Sequence, residues 1–142
     1  MQAGCDMLII GGGPGGYAAA LYAARSGLET LVLEKLSAGG QMALSEQIDN
    51  YPGFDEGIDG FSLGERMRRG AERFGARTLL AEVTGAALAG ANKTVITSAG
   101  EFTAKAVVIA TGARPRNLGV PGESAFEGRG VHYCAACNGM AY

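Results

Sequence analysis

Short apolar runs alternate with glycine-rich turns along the first third of this 142-residue chain. Residues 6–10 (DMLII) and 30–34 (TLVLE) are short and apolar, which is typical of buried parallel strands. Between them, the small residues YAAALYAARS predict a helix that begins at Pro14 or Gly15 and ends at Gly27. The pattern therefore predicts a compact strand-helix-strand unit within about thirty residues.

The rest of the chain continues the alternation with a longer loop. Residues 35–60 have little periodicity and much glycine, aspartate and asparagine, so we expect a functional loop there. Apolar residues at helical spacing then predict a helix that ends at Gly75: Leu63, Met67, Ala71 and Phe74. A strand meander and one further buried strand are predicted at residues 77–88, 93–98, 101–103 and 106–110. The chain is thus expected to have an α/β fold.

A domain boundary is predicted near Ala113, because the following ARPRNLGVPGE has the proline and polar content of a domain crossing. Residues 1–113 would form one domain, and residues 114–142 a linker and the beginning of a second domain.

Composition narrows the function classes. Twelve basic and 14 acidic residues give a formal charge of -2, which offers no electrostatic reason to expect nucleic acid or an anionic membrane as a partner. No apolar run approaches the length of a membrane span, and the start lacks a basic secretory leader, so we expect a cytoplasmic protein.

The first glycine cluster matches the phosphate-binding pattern G-x-G-x-x-G at Gly11, Gly13 and Gly16. The match follows a predicted strand and opens a predicted helix, where backbone N–H groups and the helix dipole favour an anion. Glu34, at the end of the second strand, is placed to accept hydrogen bonds from ribose hydroxyls and would repel a 2'-phosphate. The pattern favours FAD or NAD over NADP, although a glycine-rich turn without ligand can have the same sequence.

Cys134 and Cys137 have the C-x-x-C spacing, which indicates redox chemistry or metal binding in a chain without an export signal. With His132 they offer three possible zinc ligands. A structural zinc site takes four, and the only spare cysteine, Cys5, precedes the first strand. We therefore expect no metal and favour the redox interpretation.

Five segments together resemble the low-molecular-weight bacterial thioredoxin reductases, class II of the pyridine nucleotide-disulfide oxidoreductases. They occur in the order of that family: IIGGGPGGYAAALYAARSGLETLVLE, GGQ, DNYPGF, VVIATGARPR and GRGVHYCAACNG. The resemblance runs over essentially the whole chain. It implies an FAD/NAD(P)-binding, three-layer ββα Rossmann-like domain, incomplete here, with the start of a second nucleotide-binding domain.

The resemblance also implies roles for individual residues. The FAD diphosphate and ribose would be bound by Gly11, Gly13, Pro14, Gly15, Gly16 and Glu34. The flavin side would be lined by Gly40, Gln41 and Asn50, the adenine would meet the backbone at Val83, and Thr111 and Gly112 would pass close to the cofactor. Asn50 could instead cap a turn, and Val83 could be only a core residue of its strand.

In the resembled family the cysteine pair receives electrons from NADPH through FAD and passes them to thioredoxin. By position, Cys137 would be next to the flavin, and Cys134 would attack the disulfide of a thioredoxin-like partner. The family generally has an acid where this chain has Asn138, and an amide cannot donate that proton at neutral pH. A homodimer is implied for the full-length protein.

The family's second nucleotide fingerprint, for NADPH, does not occur in these residues, so we expect the chain to be a fragment that is not competent alone for full turnover. Two alternatives remain open at this point. One is a non-catalytic FAD-binding module or redox sensor, and the other is a flavoprotein that feeds a peroxiredoxin.

Overall fold

The computed structural model describes residues 3–135. In chain order the elements are β1 (Ala3–Ile10), α1 (Pro14–Arg25), β2 (Thr30–Glu34), a 3₁₀ turn (Gly40–Leu44), α2 (Gly60–Glu72), β3 (Arg77–Leu80), β4 (Val83–Ala87), β5 (Lys93–Thr97), β6 (Gly100–Ile109) and α3 (Glu123–Phe126). The chain divides into two compact units, residues 1–112 and 113–142.

Six strands form one sheet in the first unit, in the order β3-β2-β1-β6-β5-β4. The first four strands of that order are parallel, and β5 and β4 continue the sheet in antiparallel fashion. The predicted strands at 101–103 and 106–110 are one strand, because residues 100–104 pair with β5 while residues 102–109 pair with β1.

The meander of β4, β5 and β6 folds back over the parallel strands. Only two residues separate β3 from β4, although these strands lie at opposite ends of the strand order. Those residues bridge at most roughly 10 Å, whereas five steps of about 4.8 Å would separate the edges of a flat sheet. The parallel sheet is therefore covered by the meander on one face and by helices on the other.

Each face of the parallel sheet has its own core. On the helix side, Tyr17 and Ala20 of α1 pack against Ile9 and Val32. Small side chains let α1 approach the sheet closely. On the meander side the core consists of Cys5, Leu8, Leu31, Leu33, Ala81, Val95 and Ala104. The predicted α/β architecture is confirmed.

Several local features differ from the prediction. The loop at 35–60 contains the 3₁₀ turn, and the helix after it begins at Gly60, where the Asp59 carboxylate accepts a hydrogen bond from the backbone N–H of Ser62 at 2.8 Å. Phe74 lies beyond that helix and is 43% exposed. Residues 81–82 divide the predicted strand 77–88 into β3 and β4, and the four-residue helix α3 was not predicted.

None of the helices within residues 3–135 is long and apolar enough to cross a bilayer.

Candidate functional site

The carboxyl ends of the parallel strands meet at one edge of the sheet. There β1 leads into the glycine cluster, β2 ends at Glu34, and β6 leads into Thr111. The chain passes from β1 to β2 on one side, whereas β6 lies on the other side of β1. Such a point, where the strand order reverses, forms a crevice that binds ligands in open α/β sheets.

Gly11 and Gly16 are required by the packing of the turn itself. Gly11 has a φ of +105°, and a Cβ there would lie 2.8 Å from the carbonyl carbon of Ala110. A Cβ on Gly16 would overlap the carbonyl oxygen of Gly11. These two glycines allow the sharp passage from β1 into α1, whether or not a ligand is bound.

Gly13 and Gly15, in contrast, face open space, since no described atom lies within 4 Å of a Cβ built on either. Gly13 is the amino-terminal cap of α1, where no side chain of the described residues forms a capping hydrogen bond, and Pro14 follows it in the first turn. The first backbone N–H groups of an uncapped helix need acceptors, and the helix dipole favours an anion there. The geometry around Gly13 therefore suits a phosphate group.

Glu34 is fixed beside the glycine cluster by the backbone. Its Oε2 accepts a hydrogen bond from the Gly12 N–H at 2.6 Å, and its Oε1 accepts one from the Leu36 N–H at 3.1 Å. The side chain is half-buried at the end of β2. A carboxylate can accept about four hydrogen bonds, so Glu34 retains capacity for hydroxyl donors.

The GGQ segment lies against the glycine cluster. The Gly39 N–H donates to the Gly12 carbonyl at 2.8 Å, and a Cβ on Gly40 would lie 3.4 Å from the Gly13 Cα. Gln41 follows and is exposed. From the other side, α2 approaches closely, since a Cβ on Gly64 would lie 2.7 Å from the Gly39 Cα. The structure thus brings together two segments that are far apart in the sequence.

The segment after β6 also borders the glycine cluster. The Ala110 N–H donates to the Ile10 carbonyl at 2.8 Å, and a Cβ on Gly11 would lie 3.3 Å from the Thr111 Cα. Thr111 and Gly112 are exposed, and Gly112 has a φ of +73°. Their position at the crevice is compatible with contact to a bound nucleotide.

Val83 and Asn50 are less closely tied to the crevice. Val83 is half-buried against the meander-side core, two residues after Ala81, whose N–H donates to the Glu34 carbonyl at 2.8 Å. Asn50 is exposed in a loop that also contains Tyr51 and Phe54. Residues 49–55 of this loop line a shallow surface pocket. Both roles toward a cofactor stay predictions.

Sequence reasoning missed the contact of Gly12 with Glu34 and the position of Tyr17 beside it. Gly12 supplies the N–H that holds Glu34, and a Cβ on it would lie 2.9 Å from Glu34 Oε2 and 3.1 Å from the Tyr17 hydroxyl. Tyr17 is 1% exposed, and its hydroxyl has no hydrogen-bond partner among residues 3–135. Burial raises the pKa of this phenol. The additional glycine between Gly11 and Gly13 was a possible signal for the role of Gly12, whereas Tyr17 has the sequence features of an ordinary core residue.

In the second unit, Cys134 is disulfide-bonded and half-buried. Cys137 and Asn138 lie outside the described residues, so their predicted roles stay predictions. The prediction that Cys5 precedes the first strand is wrong, because β1 begins at Ala3 and Cys5 pairs with Ala104 of β6. Cys5 lies at the opposite end of β1 from Gly11, and burial raises the pKa of its thiol.

Comparisons with known proteins agree on one family. Residues 5–142 match the family model described as pyridine nucleotide-disulphide oxidoreductase. The chain is 44% identical to a thioredoxin reductase of Treponema pallidum over 98% of this chain and 45% of that protein. It is 42% identical to a glucosaminate ammonia-lyase of Pseudomonas fluorescens, over 96% of this chain and 42% of that protein.

Among solved structures, the thioredoxin reductase of Streptococcus pyogenes superimposes with a TM-score of 0.82 at 44% identity. That match covers 100% of this chain and 46% of the other. The chain therefore spans less than half the length of the relatives named here.

Proposed function

The chain belongs to the pyridine nucleotide-disulphide oxidoreductase family, and we propose that it is the FAD-and-cysteine part of a thioredoxin-disulfide reductase. In this proposal residues 1–113 are the FAD-binding domain, and residues 114–142 begin the domain that contains the redox cysteines. The thioredoxin reductases among its relatives support this choice of activity.

The observation that supports FAD binding most strongly is the open amino end of α1 beside a fixed carboxylate. Gly13 and Gly15 leave room for the diphosphate to reach the backbone, and Glu34 has acceptor capacity for the ribose hydroxyls. Pro14 adds no N–H and has a φ suited to the first helical position. Gly40, Gln41 and Asn50 would line the flavin side. The backbone at Val83 would meet the adenine, and Thr111 and Gly112 would pass close to the cofactor.

Bound FAD would take up two electrons and release them to a disulfide. The chain itself would bind the FAD and provide Cys134 and Cys137, the disulfide that accepts these electrons. The net reaction takes two electrons and a proton from NADPH, plus one proton from water, and converts a disulfide to two thiols. Cys134 then attacks the disulfide of a thioredoxin-like protein, so that the partner leaves reduced and the pair is oxidised again. NADPH would bind mainly to parts of the protein beyond this chain, and the full-length protein would be a homodimer.

The test is anaerobic reduction of the FAD-loaded chain with dithionite, followed by alkylation of thiols and mass spectrometry of the peptide containing Cys134 and Cys137. We expect both cysteines to be alkylated once the flavin is bleached. FAD-free chain treated identically is the control, because dithionite alone must leave the pair oxidised.

A second candidate is a non-catalytic FAD-binding module or redox sensor, which Asn138 favours because it replaces the family's proton donor. A bleached flavin beside a persistent disulfide would support the module and contradict the reductase proposal.

A further inference from the structure

Glu123 is a carboxylate enclosed by the second unit itself. It begins the short helix α3 and is 5% exposed. Ionised carboxylates are rarely this enclosed unless hydrogen-bond donors surround them. The groups that donate hydrogen bonds to Glu123 therefore indicate its structural role.

Three donors from two separate segments meet at this carboxylate. The backbone N–H groups of Leu118 and Gly119 donate to Oε1 and Oε2 at 2.9 and 2.7 Å. The hydroxyl of Tyr133 donates to Oε1 at 2.8 Å. Glu123 thus joins the linker after the first unit to the residue that immediately precedes Cys134.

These contacts favour the charged form of Glu123 and the neutral form of Tyr133. Backbone donation from Leu118, with donation from the Tyr133 hydroxyl, lowers the pKa of Glu123, and the same hydroxyl contact raises the pKa of Tyr133 to about 12. At neutral pH the carboxylate is therefore charged and the phenol is the donor. Hydrogen bonds to an ionised acceptor are roughly twice as strong as neutral ones.

The chain between the two segments returns in a tight loop. The N–H groups of Arg129 and Val131 donate to the Phe126 carbonyl at 2.8 and 3.0 Å, and the Gly128 N–H donates to the Val131 carbonyl at 3.0 Å. This loop leads directly from α3 to Tyr133. The carboxylate and the loop together restrict the backbone on the amino-terminal side of Cys134.

We propose that Glu123 is a positioning residue for the redox cysteine Cys134 and acts through the Tyr133 hydroxyl. The inference rests on the proposed function, since it assigns Cys134 to the redox pair. The contact between Glu123 and Tyr133 is observed with Cys134 in a disulfide, and in this proposal it stabilises that disulfide relative to the dithiol. Loss of the contact makes the disulfide easier to reduce.

The test compares the disulfide–dithiol equilibrium of the 142-residue chain and its variants in dithiothreitol redox buffers, with the oxidised fraction read by alkylation and mass spectrometry. Tyr133→Phe removes only the hydroxyl, and we expect the equilibrium to shift about tenfold toward the dithiol, which is roughly 30 mV for a two-electron couple. Glu123→Gln is expected to shift it in the same direction. In the Glu123→Gln background, Tyr133→Phe should add little, because the two changes remove one interaction.

Glu127→Gln is the matched control, because Glu127 is exposed on the same loop and its charge also raises the pKa of Tyr133. An equal shift in Glu127→Gln would mean that net charge, not the contact, sets the equilibrium, and would overturn the inference. Unchanged equilibria in both Tyr133→Phe and Glu123→Gln would overturn it too. If Cys134 and Cys137 are reduced and reoxidised to the same extent in every variant, the reductase proposal stands and the inference about Glu123 fails. If these cysteines are never reduced, both proposals are contradicted.

Discussion

The sharpest test of the glycine cluster is Gly13→Ala, because this glycine faces open space while Gly11, Gly12 and Gly16 are packed against other groups. Its φ of -79° suits alanine, and no described atom lies within 4 Å of the added Cβ. A compatible glycine-to-alanine change stabilises a protein by about 0.4–1 kcal/mol. Alanine is a poorer helix cap than glycine by a similar amount. The net change in unfolding free energy should therefore lie within about 1 kcal/mol of zero.

FAD binding should respond very differently to the same change. If the diphosphate lies against the Gly13 backbone, a methyl group there is an overpacked contact that costs about 1–3 kcal/mol. That corresponds to roughly 5- to 150-fold weaker FAD affinity. Gly70→Ala is the matched control, since Gly70 lies in α2 and its Cβ also meets open space.

The assay pairs a titration of FAD fluorescence quenching with urea unfolding of the FAD-free chain followed by circular dichroism. Gly13→Ala should weaken binding and leave the unfolding midpoint nearly unchanged, and Gly70→Ala should preserve the affinity. Equal FAD affinity for Gly13→Ala and the wild-type chain would refute the assignment of the diphosphate to this turn.

Three further predictions concern stability. Gly16→Ala should lower the unfolding free energy by about 1–3 kcal/mol, because the new methyl overlaps a backbone carbonyl, whereas Gly15→Ala should not; urea midpoints distinguish the two. Tyr17→Phe should leave stability unchanged or raise it by up to about 1 kcal/mol, since it removes a buried hydroxyl without a partner among residues 3–135. The pKa of Asp59 is lowered from 3.8 by the Ser62 backbone N–H, so its stabilising effect is present above pH 3.8 and is lost as pH falls through the lower, folded-state pKa. Melting temperatures between pH 6 and pH 2.5 should fall more steeply for the wild-type chain than for Asp59→Asn.

Each of these has a clear contrary result. Equal losses in Gly15→Ala and Gly16→Ala would contradict the difference in packing described for these two glycines. A loss of more than about 1 kcal/mol in Tyr17→Phe would show that its hydroxyl forms a stabilising hydrogen bond. If the melting temperatures of Asp59→Asn and the wild-type chain fell equally with pH, the Asp59 cap would not contribute to the loss of stability in acid.

The fold was predictable where a local rule decides the structure. β2 matches its prediction at Thr30–Glu34, and α1 ends just before Gly27, whose φ of +81° few other residues adopt. The long strand β6 was not predictable, because β5 pairs only with its first half, residues 100–104, whereas β1 pairs with residues 102–109 along its other edge. Periodicity describes one chain segment at a time and contains no information about which strands will pair.

The candidate site shows the same division. The glycine pattern and Glu34 are visible in the sequence because the motif has a fixed spacing. The hydrogen bond between Gly12 and Glu34, by contrast, joins residues that are 22 positions apart, and the contact of Glu123 with Tyr133 depends on a tight loop between them. Side chains that act by fixing a neighbour have no spacing rule of their own, so only the structure locates them.

The most direct measurement of the central claim is the flavin content of the purified chain after incubation with excess FAD or excess FMN and removal of free ligand. FMN lacks the second phosphate and the adenosine that the glycine turn and Glu34 are proposed to bind. The account predicts visible flavin absorbance near one FAD per chain and little retained FMN. A folded chain that stays colourless with FAD, or that retains FMN equally well, would contradict it.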